Sequence, residues 1–344
     1  MRKHTTINLD RELARSRAHN GQVTSSRHPS HKERVERTFE MALRAPSAHN
    51  AQPWRLSPVK RDVYLLWYSF ADKLRADPDD RDGLMAVGGF FETLRLAAHA
   101  NGLDAVIELD PKHVPAGIEL GSVALVRLKT EPDPLAASIG RRQCNRALYD
   151  RQPLPAGLAQ DLAGLGNVLL EPTRVTALVR RASILSWRDR RFVSDLEEWM
   201  RFDDRSPDGM TFDCLRVSGL DPFWLRLALR LGRLPGWLAW AYAERDVRLT
   251  RASGAIAVLT AQGREIPDLI DCGRRLIRSW TLINSLGYAW HPMSVVIDQA
   301  TVEDLRAMID GQDPLAIYRV GATTESAAWS KRRALDAVLV PSPA

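Results

Sequence analysis

Two polar stretches of this chain carry side chains suited to a flat, charged ligand. In residues 45–54, Asn50 and Gln52 are planar amides that can pair with a polar heterocycle. In residues 141–146, three arginines lie within six positions, and their guanidiniums repel one another unless an anion or carboxylate lies among them. A heterocycle that carries a phosphate would use both stretches. The plainer alternatives are a helix-capping turn at 45–54 and a solvated basic turn at 141–146.

The amide loop, residues 45–54, should be held by a helix on one side and a strand on the other. The pattern predicts a helix over 33–43 and a strand pair over 54–68 that turns near 60–62. Pro46 and Pro53 restrict φ at the two ends of the loop. Binding residues are often placed on such loops of a rigid scaffold, so we expect the two amides to be held in position.

The rest of the chain predicts alternating helices and strands. The predicted helices cover 84–101, 135–140, 155–165, 173–185, 192–200, 270–286 and 302–309. The predicted strands cover 106–109, 122–128, 255–260 and 315–320. Residues 221–243 are rich in tryptophan and predict two short helices broken at Pro235-Gly236.

Two of these helices resemble each other. One runs from Gly88 to Gly102 and the other from Gly273 to Gly287, so the spacing is 14 in both (102 − 88 and 287 − 273). Each is followed by a strand-like segment. The match predicts two copies of one α+β unit in a single chain, a pseudo-dimer with its interface inside one polypeptide.

Composition narrows the class of protein. The chain has 344 residues, is 45% apolar and carries a net charge of +6. No apolar run reaches 18 residues, so no membrane association is expected. The three cysteines form no CxxC pair, which argues against a zinc site or a disulfide framework and favours the cytoplasm. Residues 1–30 predict a disordered leader. The basic residues are mixed with acids and form no recognition motif, so nucleic-acid binding is the weakest hypothesis.

Several motifs together resemble nitroreductase-type FMN proteins, and most closely the fused, single-chain Acg-like branch known from mycobacteria. The similar segments are APSAHNAQPW at 45–54, RRQCNRALYD at 141–150 and SKRRALDAV at 330–338, together with the two glycine-bounded helices. The resemblance implies an α+β, nitroreductase-like fold of two fused copies of a helix-flanked, mainly antiparallel sheet. The first half would span 31–130 with the flavin-ring loop. The second would span 131–344 with the phosphate clamp and a Trp-rich lid insertion.

The resemblance also implies one FMN site per chain. The flavin ring and ribityl chain would contact Pro46, Ser47, Asn50 and Gln52, with Met293 and Ser294 near flavin N5 and O4. The phosphate and ribityl oxygens would contact Arg141, Arg142, Gln143, Asn145 and Arg146, with Lys331 and Arg333 completing the clamp. Gln143 stands where the family usually has Ser, and Asn145 is an additional residue before the last arginine.

These implications predict an FMN-dependent oxidoreductase that transfers two electrons through flavin N5 to or from a small organic molecule, with NAD(P)H as a candidate donor. The alternative is a protein that sequesters FMN under a lid formed by 74–83 and 221–243, with little turnover. The expected partner is a small molecule, and the chain is expected to be a monomer or a weak homodimer. No residue must act as a general acid. The candidates by type alone are His49, Tyr68, Tyr288 and His291. For each of the two histidines the favoured alternative is a satisfied, partly buried side chain.

Overall fold

The computed structural model describes residues 29–203, 205–216, 221–231 and 234–341. Most of the leader predicted at 1–30 therefore lies outside the described residues. No helix in the described part of the chain is both long and apolar enough to cross a bilayer.

Twelve α-helices lie in the described part of the chain and match most of the predicted ones. They are α1 His31–Ala42, α2 Arg81–Ala100, α3 Ala156–Gly164, α4 Thr176–Ser186, α5 Arg190–Trp199, α6 Phe212–Leu215, α7 Asp221–Leu231, α8 Gly236–Arg251, α9 Ile266–Ser285, α10 Val295–Asp298, α11 Val302–Met308 and α12 Leu335–Val338. Short 3₁₀ turns occupy Ala48–Asn50, Phe70–Asp72, Ala136–Arg141 and Pro172–Val175. The predicted break at Pro235-Gly236 separates α7 from α8, because proline cannot continue a helix.

Eight strands form two antiparallel sheets of four. The first contains β1 Trp54–Lys60, β2 Val63–Ser69, β3 Leu103–Val114 and β4 Gly117–Arg127. The second contains β5 Asn167–Leu170, β6 Ala255–Ala261, β7 Ala289–Pro292 and β8 Asp313–Gly321. The spatial order in both is first, second, fourth, third, and a 20-residue helix, α2 or α9, joins the second strand to the third. A two-residue parallel pair, Met200–Arg201 with Met210–Thr211, lies apart from them. The predicted α+β architecture of two fused antiparallel units is confirmed.

The two halves meet where α2 crosses α9 at the two glycines that the repeat aligned. A Cβ atom added at Gly88 would lie 2.1 Å from the carbonyl oxygen of Ile270. One added at Gly273 would lie 2.0 Å from the carbonyl oxygen of Met85. Only glycine allows the two backbones to approach so closely. Close packing of the two helices therefore explains why both copies of the unit have glycine at this position.

A buried carboxylate also ties the halves together. Glu92 of α2, only 1% exposed, accepts hydrogen bonds from Arg95 on its own helix and from Arg274 and Arg278 on α9. Asp133, in the segment between the halves, accepts from Arg95 and Arg278 as well. Burial opposes ionisation of Glu92, but the three guanidiniums outweigh it and lower the pKa of that carboxyl.

The halves differ in the segments that connect their strands. A tight turn at 61–62 joins β1 to β2, whereas the connection from β5 to β6 contains helices α4 to α8. We call this connection, residues 171–254, the insertion. The amide loop joins α1 to β1, whereas the matching connection from α3 to β5 is only Leu165-Gly166. The described residues therefore contain one amide loop.

The C-terminal tail returns to the first sheet, where the Val340 amide donates to the Leu56 carbonyl at 2.9 Å.

Candidate functional site

A cavity of about 380 Å³ lies between the two halves, beside the crossing of α2 and α9. Its size falls in the range of ordinary small-molecule sites. The two helices contribute apolar and aromatic walls that include Met85, Gly89, Gly273, Ile277 and Trp280. Trp280 stacks on Trp290 with ring centroids 3.8 Å apart and planes 7° from parallel. The cavity thus offers flat, apolar surfaces that suit a planar ring.

The amide loop forms one wall of this cavity. Pro46, Ser47, His49 and Asn50 line it. The backbone of His49 and Asn50 is left-handed, with φ of 51° and 56°, a conformation that costs free energy and persists only when the surroundings hold it. Asn50 supplies part of that hold, because its Nδ2 donates to the carbonyls of Gly209 at 3.0 Å and Lys331 at 3.1 Å.

Gln52 joins segments of the chain and lies outside the cavity lining. It is fully buried, and its Nε2 donates to the Pro207 carbonyl of the insertion at 2.9 Å. Its Oε1 accepts from the backbone amide of Arg333 in the tail at 2.9 Å. The Arg333 guanidinium is itself paired with Asp72 and Asp208, at 2.8 and 2.7 Å. Both residues were predicted to contact the ligand directly, and the structure instead places them in the joint between loop, insertion and tail.

Three residues that line the cavity each carry a buried polar atom with no hydrogen-bond partner among the described residues. These atoms are His49 Nδ1, Asn50 Oδ1 and Trp280 Nε1. Burial lowers the pKa of His49, which is therefore neutral near pH 7, and Nδ1 is available as an acceptor when the other ring nitrogen carries the proton. Buried polar atoms are rarely left unpaired, so this pattern indicates a ligand with both donors and acceptors.

The arginine segment contributes unequally to the site. Arg146 lines the cavity, and its Nη1 donates to the Cys214 carbonyl at 2.8 Å. Arg142 is buried, and Arg141 is exposed. Gln143 and Asn145 use their side-chain amides on the carbonyls of Ala327 and Glu325, at 2.9 and 2.8 Å. These bonds brace the C-terminal tail, and neither residue is among those that line the cavity.

Three guanidiniums gather where the arginine segment meets the loop and the tail, and we call Arg44, Arg142 and Arg332 the guanidinium cluster. Arg142 and Arg332 donate to the Arg44 and Ala45 carbonyls at the end of α1, and Arg332 also lines the cavity. Burial, together with repulsion from Arg332 and Arg44, lowers the pKa of Arg142 to about 9. Burial, with repulsion from Arg44, lowers the pKa of Arg332 to about 10.

No carboxylate of the described residues forms an ion pair with any of these three side chains. Arg142 Nε is buried without a hydrogen-bond partner. Two backbone carbonyls and the Trp329 ring, whose centroid lies 4.0 Å from the Arg44 guanidinium carbon, contact the cluster, but none of these carries a negative charge. The cluster is therefore suited to an anion, and phosphate matches the guanidinium geometry.

A second charged group lies at the start of α2. Arg81 and Asp82 line the cavity, and Arg81 bridges Asp82 and Asp298. Burial, followed by repulsion from Asp82, raises the pKa of Asp298 to about 7, although Arg81 opposes the shift. Ser294 also lines the cavity, and its hydroxyl acts to lower the pKa of Asp298.

The remaining predicted residues lie elsewhere. Met293 is buried in the apolar core of the second half, and the Lys331 side chain is exposed. Among the candidate acids, Tyr68, Tyr288 and His291 are not among the cavity-lining residues, whereas His49 is. Of the predicted ligand contacts, Pro46, Ser47, Asn50, Arg146 and Ser294 are brought together around one cavity.

Sequence reasoning missed Arg44, Arg332, Trp280 and Asp82. A signal existed for Arg332 alone, because it stands between Lys331 and Arg333 in the basic tail. The insertion covers the cavity from the other side, through Phe192, Leu196, Met210, Cys214 and Leu215.

Comparison with known proteins gives relatives along most of the chain. This chain is 25% identical over 313 residues to the Mycobacterium tuberculosis protein provisionally named NAD(P)H nitroreductase acg. The match covers 85% of this chain and 89% of acg. The chain is 23% identical over 356 residues to a Serratia protein named probable NAD(P)H nitroreductase PigM, covering 89% of this chain and 95% of PigM.

A third relative matches over a shorter stretch. It is the M. tuberculosis protein Rv3131, also provisionally named an NAD(P)H nitroreductase, which is 28% identical over 188 residues. That match covers 52% of this chain and about half, 54%, of Rv3131. No family model matches the chain. Over most of its length the chain is therefore similar to proteins named NAD(P)H nitroreductases, mycobacterial Acg among them.

Proposed function

We propose that this chain is an FMN-dependent oxidoreductase of the nitroreductase type that transfers two electrons to or from a small organic molecule. The observation that carries the proposal is the guanidinium cluster, three buried or half-buried cations without a carboxylate partner among the described residues, of which Arg332 lines the flat, aromatic-lined cavity. NAD(P)H is the electron donor to test first, because relatives are named for it.

The residues present fit FMN at both of its ends. Arg142 and Arg332 would hold the phosphate, and Arg44 would add positive charge beside them. Asn50 Oδ1, His49 Nδ1 and Trp280 Nε1, each buried without a partner, would pair with polar edges of the ring system. When bound, FMN would supply two-electron redox chemistry at its ring. The chain would orient the ring between the amide loop and the aromatic wall, and would keep bulk water from it.

The site needs no second copy of the chain. Its loop, its arginines and both crossing helices belong to one polypeptide. We therefore propose that a monomer binds one FMN.

Flavin titration of arginine variants tests the proposal. The purified chain should bind FMN one to one, followed by flavin fluorescence and visible absorbance. Arg142→Ala and Arg332→Ala should each weaken binding by about 1.5–3 kcal/mol, because each removes a charge-assisted contact. The matched control is Arg141→Ala, which removes an exposed neighbour and should change the affinity little.

Two results would contradict the proposal. One is a chain that stays colourless after incubation with FMN. The other is an Arg141→Ala loss as large as that of Arg142→Ala, which would place the anion site away from the guanidinium cluster.

An FMN-sequestering protein with little turnover is a second candidate, favoured by the insertion. Five of its side chains line the cavity, and its α5 helix is tied to the first half, where Asp195 accepts from the backbone amides of Arg75 and Ala76 at 2.9 and 2.7 Å. Steady NAD(P)H oxidation with a quinone or nitro acceptor supports the enzyme. Photoreducible flavin without NAD(P)H oxidation supports sequestration.

A further inference from the structure

We propose that Asp82 and Asp298 share one exchangeable proton and deliver it to the substrate, directly from Asp82 or through the Ser294 hydroxyl. The inference rests on the proposed function, because it supplies the proton that two-electron reduction of an organic acceptor consumes.

The geometry places two carboxylates on one cation. Arg81 Nη2 lies 2.7 Å from Asp82 Oδ1 and 2.5 Å from Asp298 Oδ1. The side chains of Asp82 and Asp298 are 21% and 17% exposed, and that of Arg81 is 12% exposed. One guanidinium cannot neutralise two carboxylates. In such a partly desolvated site, like charges this close favour sharing a proton.

The other charged groups near the pair do not supply the missing positive charge. Asp77 adds a further carboxylate and caps the start of α2 by accepting from the Gly83 amide at 2.9 Å. Burial lowers the pKa of His49, so it is neutral. Arg264 lies near Arg81, but its guanidinium is paired with Asp313. These surroundings agree with a pKa of about 7 for Asp298, which burial raises first and Asp82 raises further.

The pair communicates with the cavity by two routes. Asp82 lines the cavity itself. The Ser294 hydroxyl acts on the pKa of Asp298, and Ser294 lines the cavity and is exposed, so the pair can be reprotonated from water. The same cavity holds the unpartnered Nδ1 of His49, an independent sign that a polar ligand belongs there.

The proton balance of a quinone substrate shows what the pair would do. Reduction of a quinone to a hydroquinone takes two electrons and two hydrogens, and a bound, reduced cofactor would supply both electrons and one hydrogen as a hydride. The second hydrogen must arrive as a proton, which forms an O–H bond on a carbonyl oxygen of the quinone. In the direct route, the O–H bond of the carboxylic acid breaks as this new bond forms. In the route through Ser294, the serine hydroxyl gives its proton to the quinone and takes one from the carboxylic acid. The pair is left with two negative charges and then takes one proton from water.

Infrared spectroscopy of the flavin-loaded chain tests the shared proton without turnover. The difference spectrum of wild type minus Asp298→Asn should show the carbonyl band of a protonated carboxylic acid at pH 5, half lost near pH 7. Ser294→Ala should keep this band, because it leaves the pair intact. Absence of a titrating band near pH 7 would overturn the proposal.

Kinetics test the delivery step. With an NAD(P)H-linked quinone assay, Asp298→Asn should lower kcat about 100-fold, the usual scale of proton-transfer catalysis, with the flavin Kd within twofold of wild type. The wild-type kcat should fall as pH rises through 7, whereas that of Asp298→Asn should not change there. Ser294→Ala, a milder variant at an exposed position, should lower kcat about tenfold if the serine is the main route.

Asp246→Asn is the matched control, because Asp246 is also a buried carboxyl with a raised pKa and a serine partner, Ser183, but is not among the cavity-lining residues. It should keep the wild-type pH profile. A flavin-loaded Asp298→Asn chain with wild-type kcat and pH profile would overturn the proton source alone. A chain that binds no flavin would overturn the proposed function and the delivery step with it.

Discussion

Replacing Gly88 with alanine tests whether the helix crossing holds the two halves and the cavity together. The added Cβ would lie 2.1 Å from the Ile270 carbonyl oxygen, whereas ordinary contacts begin near 3.4 Å, so the backbones must separate by about 1.3 Å (3.4 − 2.1). Because the obstacle is backbone, no change of rotamer relieves the overlap. Overpacking of this kind costs about 1–3 kcal/mol, and the better helix propensity of alanine returns about 1 kcal/mol.

Because the overlap is with backbone, we take the upper end of the overpacking cost, about 3 kcal/mol, and subtract the gain in helix propensity, about 1 kcal/mol. Gly88→Ala should therefore lower the free energy of unfolding by about 2 kcal/mol. Urea unfolding should show a lower midpoint with an unchanged m-value. Gly273→Ala meets the same crossing from the other helix, at 2.0 Å from the Met85 carbonyl oxygen. The double variant should cost less than the sum of the two, because one separation of the helices relieves both overlaps.

The control is Gly157→Ala in α3, where an added Cβ would meet nothing within 4 Å. It should be neutral or stabilising by up to about 1 kcal/mol. If Gly88→Ala is as stable as Gly157→Ala, the close crossing does not constrain the halves, and the reasoning is refuted. Gly89 and Gly273 line the cavity, so Gly88→Ala should also weaken FMN binding in proportion to the separation.

Two further predictions concern charged residues away from the cavity lining. Arg333→Ala should lower the free energy of unfolding, measured in urea, by about 1–3 kcal/mol. Asp72 and Asp208 each lose one ion-pair partner, but Asp72 keeps Arg55 and Asp208 keeps Arg201. A loss of FMN affinity equal to that of Arg332→Ala would contradict this structural role. Burial raises the pKa of Asp133, but hydrogen bonds from Arg95 and Arg278 outweigh burial and hold it at about 2. That stabilisation is complete above the ordinary aspartate pKa and is lost as pH falls through 2, so melting temperatures from pH 5 to 2 should fall less steeply for Asp133→Asn than for wild type.

The elements were predictable where the apolar pattern was long. Both central helices and the β1–β2 hairpin follow from periodicity and bounding glycines. Strand β5 was missed, because it has only four residues, whereas β7 was anticipated as the strand-like segment that follows the second glycine-bounded helix. The duplication was visible in the glycine spacing, whereas the identical strand order of the two sheets emerged only from the fold.

The site was predictable in part. Asn50 and Arg146 were identified by residue type and motif, and both line the cavity. Arg333 was predicted to face the ligand, but its backbone bond to Gln52 and its pairs with Asp72 and Asp208 turn the guanidinium away. Those partners are 281, 261 and 125 positions distant in sequence, so no local pattern reports them.

The sequence alone determined which motifs the chain carries, that one unit is duplicated, and that one amide loop occurs with one arginine segment. These features depend only on residue type and spacing. Only the tertiary structure decided which side chains share the cavity. It selected Arg332 over its neighbours, assembled the guanidinium cluster from three distant segments and brought Asp82 of α2 onto the same arginine as Asp298. Such choices depend on how two halves and a returning tail pack together, and packing is a property of contacts between residues far apart in the chain.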